Sequence, residues 1–168
     1  PFLDLYALSL RNLGTPMFPR ELFVACLEEF PRHCDFLSVR EAGRVIGVVM
    51  NFYFRDRMLP FFAGALPEAR DVGVNNYLYW AMLETGHQRG YRWFDFGRSK
   101  KDTGPYRFKE HFGMKPVPLE YQYELVLTDE LPNVNPTNPK YARIIDTWKK
   151  LPVELTRVVG PVLSRRIP

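Results

Sequence analysis

The stretch FDFGRSKKDTGPYRFKEHFG, residues 94–113, decides how the rest of the chain is read. Its apolar and acidic start, Phe94 to Gly97, reads as the end of a strand. Arg98, Ser99, Lys100 and Lys101 form a basic turn, and Gly104-Pro105 opens a short helix that Gly113 closes. From Arg92 to Lys115 there are seven positive and three negative side chains, a surplus of +4 that equals the formal net charge of all 168 residues. Positive charge gathered at a glycine-bearing strand end suits an anionic ligand. A core needs no such arrangement.

Upstream of this stretch, residues 75–89 read as a helix. Asn75 or Asn76 is the expected cap, and Gly90 the stop. Tyr77, Leu78, Ala81, Met82 and Thr85 form one stripe, while Tyr79, Trp80 and Leu83 add apolar surface opposite, so burial on more than one face is expected. Before it, residues 36–40, 45–55 and 58–66 read as three strands of an antiparallel meander, turned at Ala42-Gly43-Arg44 and Asp56-Arg57. Two helices, 2–13 and 20–30, precede the meander, the first ended by Gly14. Downstream, residues 117–127 read as a last long strand and 129–138 as a Pro/Asn-rich linker. Two apolar stripes follow, Tyr141, Ile144, Ile145 and Trp148, then Leu155, Val158, Val159, Val162 and Leu163, with a kink expected at Gly160-Pro161. The order is α-α-β-β-β-α-β-α-β plus a helical tail. That is an α+β chain with a mixed, mostly antiparallel sheet, and it resembles the acyltransferase-like arrangement known as the GNAT fold.

Composition narrows the function classes. At 46% hydrophobic and 15% aromatic the chain is expected to bury a sizeable core and not to be a disordered chain. A pI near 9.1 suits a phosphate-bearing or nucleic-acid partner. Cys26 and Cys34 read as free thiols of a reducing, cytoplasmic compartment. No apolar run reaches the ~18 residues a span needs. Basic Arg157, Arg165 and Arg166 leave membrane-surface docking of the tail as the alternative to packing on the domain. Beginning at Pro1, the chain reads as a piece of something longer.

Several residues are candidates for chemistry. Lys109 sits beside the apolar pair Phe108 and Phe112, which points to a core, so it is expected at the rim of a cleft. There it either holds a phosphate or developing oxyanion, or snorkels as an ordinary surface lysine. Asp95 alternates with Phe94 and Phe96 and is either an ion-pair partner of Arg98 or another arginine, or a general base. Arg98, Ser99 and Lys100 form an anion cradle, with Tyr106 one step round. His33, His87 and His111 stand apart with no metal-ligand spacing. In the loop 70–75, Arg70 and Gly73 fit two of three positions of the Arg/Gln-x-x-Gly-x-Gly/Ala loop with which coenzyme A-dependent GNAT enzymes hold pyrophosphate. Asn75 stands at the third position and Asp71 adds a repelling charge, so weak coenzyme A binding is expected.

The string Phe94-Asp95-Phe96-Gly97-Arg98-Ser99-Lys100, with Thr103-Gly104, Tyr106, Phe108-Lys109 and Phe112-Gly113, resembles the FemAB-like family, in particular its exosortase-associated branch. Asn75 with Leu78-Tyr79-Trp80, and Pro118-Leu119 with Tyr121 and Tyr123, are similar to that family too. The resemblance implies that residues 1–127 are the second of two GNAT-like domains, the first preceding this sequence, and that 128–168 are a linker and helical extension. It implies transfer of an aminoacyl or acyl group to an amine on an anionic cell-envelope or exopolysaccharide precursor, with aminoacyl-tRNA or acyl-coenzyme A as co-substrate. It implies Lys109 and Asp95 as catalytic candidates. Arg98, Ser99, Lys100, Tyr106, Phe108, Asn75 and Tyr79 would then bind substrate. An acetyl-coenzyme A-dependent N-acetyltransferase and a domain that only binds are the alternatives.

Overall fold

Two tight turns build the sheet. Ala42 and Gly43, both at positive φ, reverse the chain between β1 (Cys34–Glu41) and β2 (Arg44–Phe54); Arg55, also at positive φ, helps reverse it into β3 (Arg57–Ala65). β1, β2 and β3 pair antiparallel, and β4 (Trp93–Phe94) adds to β3 in parallel, giving the order β1-β2-β3-β4. This computed structural model describes residues 1–126 and 139–165. The expected linker and the 127/128 boundary fall outside them.

One face of the sheet carries α3 (Val74–Gln88), which buries Val74, Leu78, Met82 and Gly86. These meet Val49, Tyr53 and Met58 in one core. The other face carries α1 (Phe2–Leu13) and α2 (Arg20–Glu29), whose Tyr6, Ala7 and Phe23 pack on Met50 and Phe62. Tyr6, Phe23 and Phe62 meet edge to face. α1 lies so close to β3 that a Cβ on Gly64 would stand 2.7 Å from the Leu5 carbonyl oxygen. Gly14, left-handed, ends α1 as expected.

The chain divides into two compact units, Pro1–Gly97 with Ile145–Pro168, and Arg98–Ile144. The second holds α4 (Gly104–Glu110) and the first part of α5 (Pro139–Lys150). α6 (Val153–Ser164) belongs to the first unit and continues through Pro161.

Several expectations are corrected. Residues 117–126 form no strand: Val117, Leu119, Tyr121 and Tyr123 alternate as a strand would, yet all are exposed, and a strand exists only with a partner ladder. The strand expected to reach Gly97 stops at Phe94, because the chain turns away after the Asp95 N–H donates to the Met58 carbonyl at 2.8 Å. α3 is not buried on two faces; Tyr77 and Trp80 lie open to solvent, and its cap is Gly73 rather than Asn75 or Asn76, which fall inside the first turn. In α6 the small side, Thr156 and Gly160, is buried, while Leu155, Val158, Val162 and Leu163 stay exposed, because only a side chain-free surface fits against the Met17 backbone. In α5, Trp148 is buried and Ile144 exposed.

Candidate functional site

In the first unit, the parallel pair β3 and β4 starts in register at Arg57–Trp93 and Met58–Phe94 and then parts. Beyond Asp95 no strand among the described residues pairs with that edge of β3, so the backbone groups between Leu59 and Gly64 that β2 does not take are open to a ligand; Pro60 carries no N–H, and at Ala65 the N–H donates to Ser9 Oγ at 2.9 Å while the carbonyl accepts from it at 3.1 Å. A bulge at Phe61, between the pairs Asn51–Pro60 and Met50–Phe62, bends β3 where the wedge opens. Sequence reading missed this; Pro60 inside an apolar run was the available signal, since proline in a strand marks an edge or a bulge.

The wedge leads toward the start of α3, because β3 ends beside β2 at Gly47, where Val74 and Leu78 of α3 are packed. Gly73 holds φ 70° and caps the helix with no side-chain bond, leaving the first-turn N–H groups without a side-chain partner. A Cβ there would meet only Asn76 Nδ2 at 3.9 Å, so the left-handed backbone, and not crowding, requires glycine. Uncapped N–H groups and the helix dipole favour an anion at this end. Arg70, Asp71 and Asn75 are exposed around it.

Tyr79, half-buried on α3, stacks on Phe96 and tilts against Phe94. Burial pushes its phenol above the ordinary range, so it is neutral at pH 7. Asp95 is exposed between the half-buried Phe94 and Phe96, as its alternation predicts. Among the described residues it forms no salt bridge with Arg98 or another arginine, the pairing the sequence suggests; its Oδ1 instead accepts the Gly97 N–H at 2.8 Å in a local turn.

The second unit carries the basic loop. Arg98 and Lys100 are exposed, Ser99 is half-buried, and Ser99 Oγ has no hydrogen-bond partner among the described residues. Thr103 Oγ1 donates to the Lys100 carbonyl at 2.6 Å, and Asp102 at φ 64° tightens the turn into α4. Arg98 reaches the Tyr121 hydroxyl at 3.5 Å. Lys109 departs from expectation: it is not at a rim but 8% exposed, and its Nζ donates to the Arg98 carbonyl at 3.2 Å. Half-turn periodicity cannot show this, because the acceptor is a backbone atom eleven residues away. Phe108, half-buried, packs on Phe112 with ring centroids 5.4 Å apart. Tyr106 is half-buried, and its phenol is raised, by desolvation first and then by neighbouring Glu110. Among the described residues no three His, Cys, Asp or Glu side chains cluster as a metal would require.

Comparison with known proteins bears on this arrangement. The family model for an acetyltransferase (GNAT) domain matches residues 2–110. Among solved structures, AAC(6')-Iy in complex with the bisubstrate analogue CoA-S-monomethyl-acetylneamine shares 19% identity at TM-score 0.55, over 73% of this chain and 91% of its own. The aminoglycoside acetyltransferase HMB0005, from an uncultured soil metagenomic sample, shares 15% at TM-score 0.52, over 74% of this chain and 90% of its own. At such identities the likeness concerns the fold alone. No curated protein matches the chain.

Proposed function

The chain belongs to the acetyltransferase (GNAT) domain family, and from that premise we propose that its wedge takes an acyl-coenzyme A and passes the acyl group to an amine. The observation that carries this reading is the end of the β3–β4 ladder after two residue pairs, which leaves the rest of that edge of β3 unpaired, together with the uncapped start of α3. The pyrophosphate would lie on the first-turn N–H groups of α3, near Gly73 and Arg70. The pantetheine arm, with its two amides, would pair with the open edge of β3 as an added strand. That the neighbour AAC(6')-Iy was solved with a coenzyme A bisubstrate analogue supports this choice of donor.

The reaction itself is an acyl transfer. The deprotonated amine attacks the thioester carbonyl, a C–N bond forms, the C–S bond breaks, and the thiolate leaves and takes up a proton. Strand N–H groups aimed at the carbonyl would stabilise the oxyanion. Tyr79, neutral beside Phe96, is suited to donate a hydrogen bond and not to act as a base. Asp95 would shape the turn at the strand exit through Oδ1, and its Oδ2 is the oxygen that would act as general base. In the second unit, Arg98, Ser99, Lys100 and Tyr106 would receive an anionic acceptor. Lys109 would position the Arg98 carbonyl, and Phe108 would support α4 through Phe112.

The finer reading rests on the FemAB resemblance. On it, residues 1–127 are the second GNAT-like domain of a longer cytoplasmic protein and 128–168 its linker and helical extension. The acceptor is an anionic cell-envelope or exopolysaccharide precursor. Aminoacyl-tRNA as donor rests on that resemblance alone. Thiol release from acetyl-coenzyme A, measured with a panel of amines of differing charge, tests the proposal. Turnover favouring phosphate-bearing amines is expected. Turnover with aminoacyl-tRNA and none with any acyl-coenzyme A would overturn the donor, and binding without turnover would leave a domain that only recognises its ligand.

A further inference from the structure

The face of the sheet under α1 and α2 is only partly covered. The helices reach Met50 and Phe62, but toward the β2–β3 turn the same face lies open. There, Phe54, Arg57 and Trp93 stand in register across three strands, so their side chains form one row on one face. Phe54 is 67% exposed and Trp93 56%. Phe52, two residues before Phe54, carries the patch on to Phe61, 59% exposed, with ring centroids 6.0 Å apart. Apolar rings this open and this close together mark an interaction surface.

The charges around the rings are one-sided. Arg55 lies over Phe54 at 5.2 Å and Arg57 over Trp93 at 5.9 Å. Among the described residues neither arginine pairs with a carboxylate, and Asp56 is the acidic residue in the turn itself. The partner must therefore be anionic and also able to take apolar rings.

We infer that this end of the sheet docks on an anionic lipid surface, with Phe54, Phe61 and Trp93 entering the headgroup region and Arg55 and Arg57 meeting lipid phosphates. Single-stranded nucleic acid also combines negative charge with flat apolar surface. Its bases stack on ring faces, and here the guanidinium groups of Arg55 and Arg57 already take one face each of Phe54 and of Trp93. What remains, one face and the edges of each ring, suits insertion among acyl chains, while the arginines stay at headgroup level.

The test is co-sedimentation of the whole chain with vesicles of phosphatidylcholine alone or with a third phosphatidylglycerol. Binding to the anionic vesicles, lost at high salt and absent with phosphatidylcholine alone, is expected. Arg57→Gln should weaken it about fivefold, the effect of one basic residue near an anionic surface, and Phe54→Ser with Trp93→Ser should abolish it. These side chains are exposed, so the variants should keep the parent's melting point, and a melt of each checks that they do. Three results would overturn the inference: no binding to anionic vesicles; binding unchanged in these variants but lost in Leu155→Ser with Val158→Ser on α6; or an RNA oligonucleotide that binds more tightly and displaces the vesicles.

Discussion

Replacing Lys109 by methionine and, separately, by alanine separates its buried stem from its charge. The side chain is 8% exposed, and its Nζ donates to the Arg98 carbonyl at 3.2 Å. A bond with a charged donor contributes about 1.5–3 kcal/mol when its loss strands the partner. Arg98 is exposed, so its carbonyl can regain water, and losing this bond makes Lys109→Met cost at least about 1 kcal/mol. Methionine keeps an unbranched apolar stem of similar length. Alanine also removes three buried methylenes, each about 0.8 kcal/mol, so Lys109→Ala should cost about 3 kcal/mol. Urea unfolding of the two variants measures this. Turnover should fall at least tenfold in both, because the basic loop loses its anchor, and it should fall in the methionine variant while the fold persists. An alanine variant within 0.5 kcal/mol of the parent would refute the burial argument, since an exposed lysine behaves that way. A methionine variant with unchanged turnover would remove Lys109 from the machinery.

Gly64→Ala should destabilise the chain by at least about 2 kcal/mol, because the new Cβ would meet α1 backbone and not a movable side chain; a melt shows it, and a neutral result would mean α1 yields freely. Tyr6 and Tyr53 are buried, and burial raises both phenols, with the Asp35 hydrogen bond adding to Tyr53. The folded chain then keeps protons that the unfolded chain releases, so stability is complete below the ordinary tyrosine range of about 10 and declines above it. Melts between pH 8 and 11 should show this, with a shallower decline in Tyr53→Phe. Asp71→Asn should strengthen coenzyme A binding about threefold by calorimetry, as expected for one charge several ångströms from the pyrophosphate across water; an unchanged constant would mean the phosphates lie elsewhere.

How much was legible follows from the range of each cause. Local causes are written in the chain. Ala42-Gly43 turns the first hairpin, Gly14 ends α1, and the alternation of Phe94, Asp95 and Phe96 sets an exposed residue between two half-buried rings, so the α+β class and the basic loop at 98–101 could be read directly; the second turn falls at Arg55-Asp56, one residue before the Asp56-Arg57 that the sequence suggests. Tertiary structure decided what depends on a distant partner. Residues 117–126 have a strand's alternation and no ladder, because pairing is a property of two segments. α6 turns its small side inward since the Met17 backbone leaves room for nothing larger, which no hydrophobic stripe can encode. Lys109 is buried by a carbonyl eleven residues earlier, and Asp95 is taken by a backbone N–H. The wedge itself comes from two parallel strands that part after two pairs. Their divergence is a fact of three-dimensional register, and a sequence records only where each strand can begin.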